Sequence, residues 1–288
     1  MLRGLLRRAV GGARPHRALR APPPPGGREP LARAGADGAA VTQGGPGRPP
    51  GNGDGGANGG PHAGGLDEGA YELRIENVRA RPTGDPGEIA VLLETSRGSL
   101  EGLLRPCEGR DGCAIYLGGA SGGVRGPAGR LYERLSRELV PSGVTSLRLH
   151  YREPGNLVEC VLDALAGCSF LKGIGAGRIV LVGASFGGAV AIRAAGLQPL
   201  VSAVAALAPQ RAGTEQVDAL GKPLLLVHGD EDAVLDRAAS DDIFARAREP
   251  KRLVILPGAG HTLDSHADEV RDLVSEFVAA HAGDRAGN

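Results

Sequence analysis

The sequence contains a serine whose setting can make its hydroxyl a nucleophile. Ser185 is the middle residue of the segment GASFG at 183–187, which the apolar run RIVLV precedes and the run AVAIRAAG follows. A strand that turns abruptly into a helix exposes the residue at the turn and requires small neighbours. The helix N-terminus then favours negative charge that develops there. The segment predicts a nucleophilic serine, against the alternative of an N-cap serine in a glycine-rich turn.

A serine hydroxyl needs a base that takes its proton and an acid that holds the base. Three acidic residues follow the apolar run PLLLV, namely Asp230, Glu231 and Asp232. His261 follows the run RLVIL, and a second histidine, His266, lies five residues later. Because each group comes directly after an apolar run, we expect serine, acid and histidine at one rim of a sheet. The residues alone leave the choice among the three acids open.

The elements that must position these groups are apolar strands alternating with helical stretches, beginning near Tyr71. The predicted strands are 89–95, 99–104, 113–117, 144–149, 178–182, 201–207, 223–228 and 252–256. The predicted helices are 128–140, 157–168, 185–195, 237–248 and 267–281. Strands rich in Val, Ile and Leu on both faces imply an α/β fold, with a mostly parallel twisted sheet covered by helices on both sides. We expect about eight strands, with an antiparallel hairpin over 89–104 at one edge.

Together these features resemble the α/β-hydrolase superfamily, in which the chain order is also serine, acid, histidine. HGDEDAVL at 228–235 is similar to that superfamily's HGxxDxxV turn, with Leu235 at the last place. The resemblance therefore implies Asp232 as the catalytic acid, with Asp230 and Glu231 as solvated loop acids. GAGH at 258–261 is similar to the GxGH ending, which implies His261 as the base. The resemblance covers roughly residues 87–282.

Acyl transfer passes through a tetrahedral oxyanion that needs two N–H donors. The fold that the resemblance implies supplies one from the backbone of Phe186. The second is expected from the loop GGASGG at 118–123, where related hydrolases usually carry His-Gly at the place of Gly118 and Gly119. On that alignment Ala120 gives the second N–H, with Ser121 as the neighbouring candidate.

Further residues near this rim are candidates for contact with a substrate. They are Gly119, Ser121 and Tyr151. Tyr151 and His150 follow the predicted strand 144–149, in a loop that resembles the superfamily's DYRG-like loop. The two residues either line an acyl pocket or only pack the loop, and the sequence does not decide between these alternatives.

The composition excludes several classes of function. The chain has 288 residues with 33 basic and 33 acidic side chains, so no bulk charge recruits nucleic acid or an anionic membrane. Aromatic residues are 3% with no Trp, which argues against a platform that stacks bases. The four cysteines form no CxxC pair and no paired Cys/His spacing, so we expect no metal and no cofactor. No stretch approaches the roughly 20 apolar residues of a membrane span, which predicts a soluble protein.

The first 66 residues differ in composition from residues 67–288, which we expect to form the α/β-hydrolase domain. The start MLRGLLRRAVGGARPHRALR is basic and acid-free, which is typical of an organelle transit peptide, although no Ser precedes Ser96. The alternative is a tail that reflects compositional bias alone. The Gly/Pro-rich stretch that follows predicts a disordered linker. The expected location is a mitochondrion or plastid if the segment is a transit peptide, and otherwise the cytoplasm.

The leading functional hypothesis is hydrolysis of a small-molecule carboxylic ester or thioester through an acyl-enzyme. Only about 15 residues separate the strands 201–207 and 223–228, so the chain has no room for a substantial lid. This resembles the dienelactone-hydrolase-like, short esterase and acyl-peptidase branches. Dienelactone hydrolases proper use Cys where Ser185 stands, so that activity is not assigned.

Two other classes of function are alternatives to ester hydrolysis. A peptidase or acyltransferase on the same fold is the alternative, since fold does not fix substrate. A non-catalytic binding protein is less favoured, because such proteins tend to lose a member of the triad. We expect a monomer or weak homo-oligomer.

Overall fold

The computed structural model describes residues 72–283 and the backbone of residues 19–20. The chain divides into one unit of Met1–Ala21 with Tyr71–Asn288 and a second of Pro22–Ala70. The second unit lies outside the described residues, as does nearly all of the segment 1–66. The transit peptide, the linker and the domain boundary after residue 66 therefore stay predictions.

The strands alternate with helices along most of the described chain. The strands are β1 (Leu19–Arg20), β2 (Glu72–Leu73), β3 (Ile75–Pro82), β4 (Ile89–Thr95), β5 (Gly98–Arg105), β6 (Gly112–Leu117), β7 (Val144–His150), β8 (Arg178–Ala184), β9 (Val201–Leu207), β10 (Leu224–Gly229) and β11 (Lys251–Leu256). The α-helices are α1 (Pro127–Glu138), α2 (Leu157–Gly173), α3 (Phe186–Leu197), α4 (Ala238–Arg246) and α5 (Ala267–Ala282). Two short 3₁₀ helices span Val217–Ala219 and Asp264–His266.

The main sheet has nine strands in the order β11-β10-β9-β8-β6-β7-β5-β4-β3. The strands from β11 to β7 pair in parallel, whereas β7, β5, β4 and β3 pair antiparallel in succession. The expected α/β fold, with an antiparallel edge on a mostly parallel sheet, is confirmed. The additional strand is the edge strand β3, IENVRARP, in which the four charged and amide side chains are exposed while Ile75, Val78 and Ala80 pack partly buried against the core. The short strands β1 and β2 pair separately.

Two apolar layers cover the two faces of the sheet. Alternate residues of each strand point to opposite faces, and in β6 Ile115 contributes to one layer and Tyr116 to the other. Residues of α2, α3 and α4 complete the first layer, and residues of α1 and α5 complete the second. All six residues of β6 are buried. Each such aliphatic side chain contributes roughly 1.5–3 kcal/mol by its burial, so this core fixes where the strands end.

Candidate active site

Ser185 lies on a sharp turn between β8 and α3. Its φ of 55° and ψ of −121° are unusual for a residue with a side chain. The turn is held from the neighbouring strand, because the Ser185 N–H donates to Leu207 O at 2.8 Å. The Ser185 carbonyl in turn accepts from Gln210 N–H at 3.3 Å. The strand–turn–helix setting predicted from the sequence is therefore present at this serine.

Glycines on either side of the serine allow this turn to lie against the sheet. A Cβ at Gly183 would lie 2.0 Å from the Gly187 oxygen. A Cβ at Gly187 would lie 2.3 Å from Gly118 O and 2.4 Å from Leu117 O, which are backbone atoms that cannot turn away. The start of α3 thus rests directly on the end of β6 and on the loop that follows it.

The substitution Gly187→Ala is expected to lower the free energy of unfolding by about 3 kcal/mol or more, because the new methyl group overpacks against backbone. The matched control is Gly196→Ala in the same helix, where no atom lies within 4 Å of the added Cβ. There alanine should stabilise by about 0.5–1 kcal/mol, since it favours helix more than glycine does. Urea unfolding of both variants measures the difference. Equal midpoints would contradict the close packing described for Gly187.

Asp232 and His261 are in direct contact on the loops that follow β10 and β11. Asp232 Oδ2 lies 2.7 Å from His261 Nδ1. Asp232 Oδ1 accepts from the N–H groups of Val234 at 2.8 Å and Leu235 at 2.9 Å, which fixes the carboxylate in its turn. The Asp232 side chain has no exposed surface, whereas 21% of the His261 side chain is exposed. Asp232 therefore orients the His261 ring through Nδ1, while part of the ring stays exposed to solvent.

The charge on Asp232 decides which nitrogen of His261 carries the proton. Burial acts to raise the pKa of Asp232, but hydrogen bonds from Leu235 N–H, His261 and Val234 N–H outweigh it and hold the pKa below its ordinary value of 3.8. At neutral pH the carboxylate is ionised and can only accept. His261 Nδ1 must then carry the proton of the neutral ring, which leaves Nε2 free to accept one.

Ser185 lies at the same rim as this pair, since β8, β10 and β11 are parallel strands of one sheet. The hydroxyl of Ser185 caps no N–H of α3. Among the residues that the structure describes, it has no hydrogen-bond partner, so no hydrogen bond joins Ser185 to His261. The structure thus brings Asp232 and His261 into contact and leaves the serine hydroxyl free.

The rival acid and the rival histidine have other contacts. Asp230 Oδ1 accepts from Gly258 N–H at 2.6 Å and so joins the loop after β10 to the loop after β11. Glu231 is exposed. His266 Nδ1 contacts Ser265 Oγ at 3.0 Å at the end of a 3₁₀ helix. Neither Asp230 nor Glu231 makes the contact with His261 that Asp232 makes.

The loop after β6 lies beside the serine. A Cβ at Gly119 would be 3.8 Å from the Ser185 Cβ. Gly122 N–H donates to Gly119 O at 2.9 Å and closes a tight turn that exposes Ala120 and Ser121 at its tip. Across the described range 72–283, no acceptor engages the Ala120 N–H. Phe186 is the first residue of α3, where an N–H has no acceptor within the helix. Both N–H groups thus remain candidate oxyanion donors.

Tyr151 packs rather than lining an open pocket. It is 6% exposed, and its ring meets the Phe186 ring edge-on with centroids 6.3 Å apart. His150 lies elsewhere, in a cavity of about 450 Å³ on the face of the antiparallel strands, where Arg81 and Leu103 are among its neighbours. Of the two alternatives left open by the sequence, the structure favours loop packing for Tyr151.

A buried ionic cluster, which the sequence did not reveal, holds the loop between β7 and α2. The Arg152 side chain pairs with Asp163 and with Glu159 Oε2, the latter at 2.8 Å. The Arg152 N–H also donates to Asp163 Oδ2 at 2.9 Å. This loop approaches the turn after β6, because a Cβ at Gly155 would lie 3.5 Å from Ala120 O. The sequence signal for this cluster is a pair of acids four residues apart, Glu159 and Asp163, that follows Arg152 just past the end of a strand.

Other features that bear on function can be stated for the described residues. The four cysteines form no disulfide within the described range, and all but Cys107 are buried. Within residues 72–283 there is no group of three or more His, Cys, Asp or Glu side chains that could hold a metal ion. In that same range, no helix is both long enough and apolar enough to cross a membrane.

Sequence comparison gives one family and a short match to a curated protein. A model of the dienelactone hydrolase family matches residues 145–283. The uncharacterized protein YfhR of Escherichia coli (strain K12) is 37% identical over 59 residues. That match covers 19% of this chain and 21% of YfhR, so the similarity extends over about a fifth of each protein.

Solved structures share the fold over most of their length. The dienelactone hydrolase from Anabaena variabilis has a TM-score of 0.60 at 21% identity, covering 68% of this chain and 98% of that one. XC6422 from Xanthomonas campestris, described as an α/β serine hydrolase without lid, has a TM-score of 0.58 at 21% identity, covering 69% of this chain and 97% of that one. Together with the sheet order, these likenesses show that the chain has the α/β-hydrolase fold.

Proposed function

We propose that the chain is a serine hydrolase that cleaves a carboxylic ester or thioester through an acyl-enzyme, with Ser185 as nucleophile, His261 as base and Asp232 as acid. The observation that carries the proposal is the 2.7 Å contact between Asp232 Oδ2 and His261 Nδ1 at the rim on which the Ser185 turn lies. A buried carboxylate that holds a partly exposed imidazole is the arrangement that activates a serine. Catalytic hydrogen bonds to the serine are often long without substrate, so the free hydroxyl is compatible with this role.

The steps follow from these positions. His261 Nε2 takes the proton of Ser185 as Oγ bonds to the carbonyl carbon, and the carbonyl π electrons move onto oxygen. Collapse of the oxyanion breaks the bond to the leaving oxygen or sulfur, which receives the proton from His261. Water then attacks the acyl-enzyme with the same base, and the carboxylic acid leaves as Ser185 regains its proton. Asp232 stays ionised and stabilises the imidazolium.

The oxyanion is assigned to the N–H groups of Phe186 and Ala120. Phe186 N–H lies at the N-terminus of α3, where backbone donors and the helix dipole favour negative charge. The exposed turn that carries Ala120 supports the second donor, with Ser121 N–H as its neighbour. Gly119 and Ser121 would border the bound acyl group.

The short connection between β9 and β10 supports a small-molecule substrate. Arg246 ties this segment down, because its guanidinium donates to Thr214 O at 2.8 Å and to Thr214 Oγ1 at 3.1 Å. A fixed segment of this length covers little of the rim, so it cannot exclude large substrates from the site. This favours ester and thioester hydrolysis over peptide cleavage, which needs a means of excluding folded proteins.

Three acetyl compounds with different leaving groups test the proposal. We expect turnover of p-nitrophenyl acetate and S-phenyl thioacetate, and much slower turnover of p-nitroacetanilide. Anilide cleavage as fast as ester cleavage would favour a peptidase, and dominant transfer to an added alcohol would favour an acyltransferase. A full-length, folded protein that turns over none of the three would overturn the assignment.

A further inference from the structure

His228 is a buried histidine next to the Asp232 turn that the proposed mechanism does not use. It lies in β10, and its side chain has no exposed surface. Its Nε2 is 3.0 Å from Leu235 O and 3.2 Å from Asp232 Oδ2. Its Nδ1 is 2.7 Å from Ser240 Oγ, at the start of α4. Both ring nitrogens are therefore engaged, and one of them faces the acid.

The contacts determine which ring nitrogen of His228 carries the proton. The Leu235 carbonyl oxygen can only accept a hydrogen bond, so Nε2 of His228 must carry a proton. In the neutral ring Nδ1 then accepts from the hydroxyl of Ser240. The Nε2–H donates to Leu235 O, and Nε2 also lies 3.2 Å from Asp232 Oδ2. The chain of contacts runs from Ser240 through His228 to the edge of the carboxylate.

Two histidines lie against the same carboxylate oxygen, Asp232 Oδ2. His261 contacts Asp232 Oδ2 from the open rim, and His228 reaches it from the core. The Leu235 N–H donates to Oδ1, and the Leu235 carbonyl accepts a hydrogen bond from His228 Nε2. The buried ring therefore contacts Oδ2 directly and is linked to Oδ1 through Leu235. Rotation of the carboxylate away from His261 would require the contacts of His228 to break.

We propose that His228, supported by Ser240, is a positioning residue that holds the Asp232 carboxylate in line with His261 Nδ1. The inference rests on the proposed function, since it concerns the acid of that same site. The alternative is a purely structural role, in which His228 is a core histidine that donates only to the Leu235 carbonyl. The two differ in whether loss of the Nε2–H changes the contact between Asp232 and His261.

Two isosteric amides separate these alternatives. His228→Gln puts an amide N–H at the distance of the ring Nε2, whereas His228→Asn puts its amide at the distance of Nδ1 and cannot reach the Leu235 carbonyl. We expect His228→Asn to lower kcat for p-nitrophenyl acetate about 10- to 100-fold with little change in KM, as a displaced catalytic group does. His228→Gln should recover most of that loss. Each variant is made in the full-length protein, and its thermal unfolding is measured to establish that it is folded.

A second readout does not depend on activity. The proton shared by His261 Nδ1 and Asp232 is expected as a downfield ¹H resonance in the wild type and in His228→Gln, and to be shifted or lost in His228→Asn. Equal kcat and equal resonances in the Gln and Asn variants would overturn the proposal. If His228→Asn does not fold, Ser240→Ala, which frees Nδ1, replaces it and should lower kcat while the fold persists; unchanged kcat and resonance there would also overturn it.

The two proposals fail in different ways. A wild-type protein that hydrolyses no ester ends the proposed function, while the downfield resonance still reports whether His228 holds Asp232. A wild-type enzyme whose resonance and kcat are indifferent to His228→Asn keeps the proposed function and ends the role of His228.

Discussion

Ser185→Ala is expected to lower kcat/KM for p-nitrophenyl acetate by at least about 10⁴-fold, because removal of the nucleophile leaves only binding and the oxyanion donors. The matched control is Ser99→Ala, which removes an exposed hydroxyl at the start of β5 and should leave kcat/KM unchanged. Steady-state hydrolysis by the two variants measures the effect. Activity of Ser185→Ala within tenfold of the wild type would mean that another group attacks the ester.

The loss of activity should come without a loss of stability. The Ser185 hydroxyl has no hydrogen-bond partner among the described residues, so its removal leaves no buried group unpaired. The φ of 55° at this residue is a strain that glycine relieves. Ser185→Gly should therefore be inactive and more stable by about 1 kcal/mol, after allowance for the greater freedom of glycine in the unfolded chain. Urea unfolding beside the activity assay distinguishes lost chemistry from lost folding.

Asp232→Asn is expected to lower kcat by about 10⁴-fold, because an amide that donates to His261 Nδ1 favours the wrong tautomer of the ring. Asp230→Asn is the matched control, since it removes the same charge from the same turn. It keeps an oxygen that accepts from Gly258 N–H and should cost only a few-fold. The pair of kcat values checks the assignment of the acid. A larger loss in Asp230→Asn than in Asp232→Asn would contradict it.

Much of the fold could be predicted because its parallel strands are buried on both faces. Runs such as VSAVAAL in β9 are continuous in the sequence for that reason, and the structure begins and ends β9 where the apolar run does. The edge strand β3 could not be predicted in the same way. Its polar residues face solvent, and its pairing with β4 depends on tertiary contacts that no local pattern encodes.

The site was predictable only in part. The turn at Ser185 follows from glycines flanking a strand–helix junction, and the choice of Asp232 over Asp230 came from resemblance alone. The structure supplies what resemblance could not, which is a contact between Asp232 and His261. The sequence predicts His228 only as the end of a strand, because its two partners at 235 and 240 meet it through the fold.

We expect Ser185 to be a nucleophile that His261 activates. The most direct test is treatment of the wild-type protein with a fluorophosphonate probe, followed by mass spectrometry of the labelled peptide. We predict a single covalent adduct on Ser185, whose formation is abolished in His261→Ala because that variant lacks the base. Absence of labelling, or an adduct on any other residue, would contradict the account.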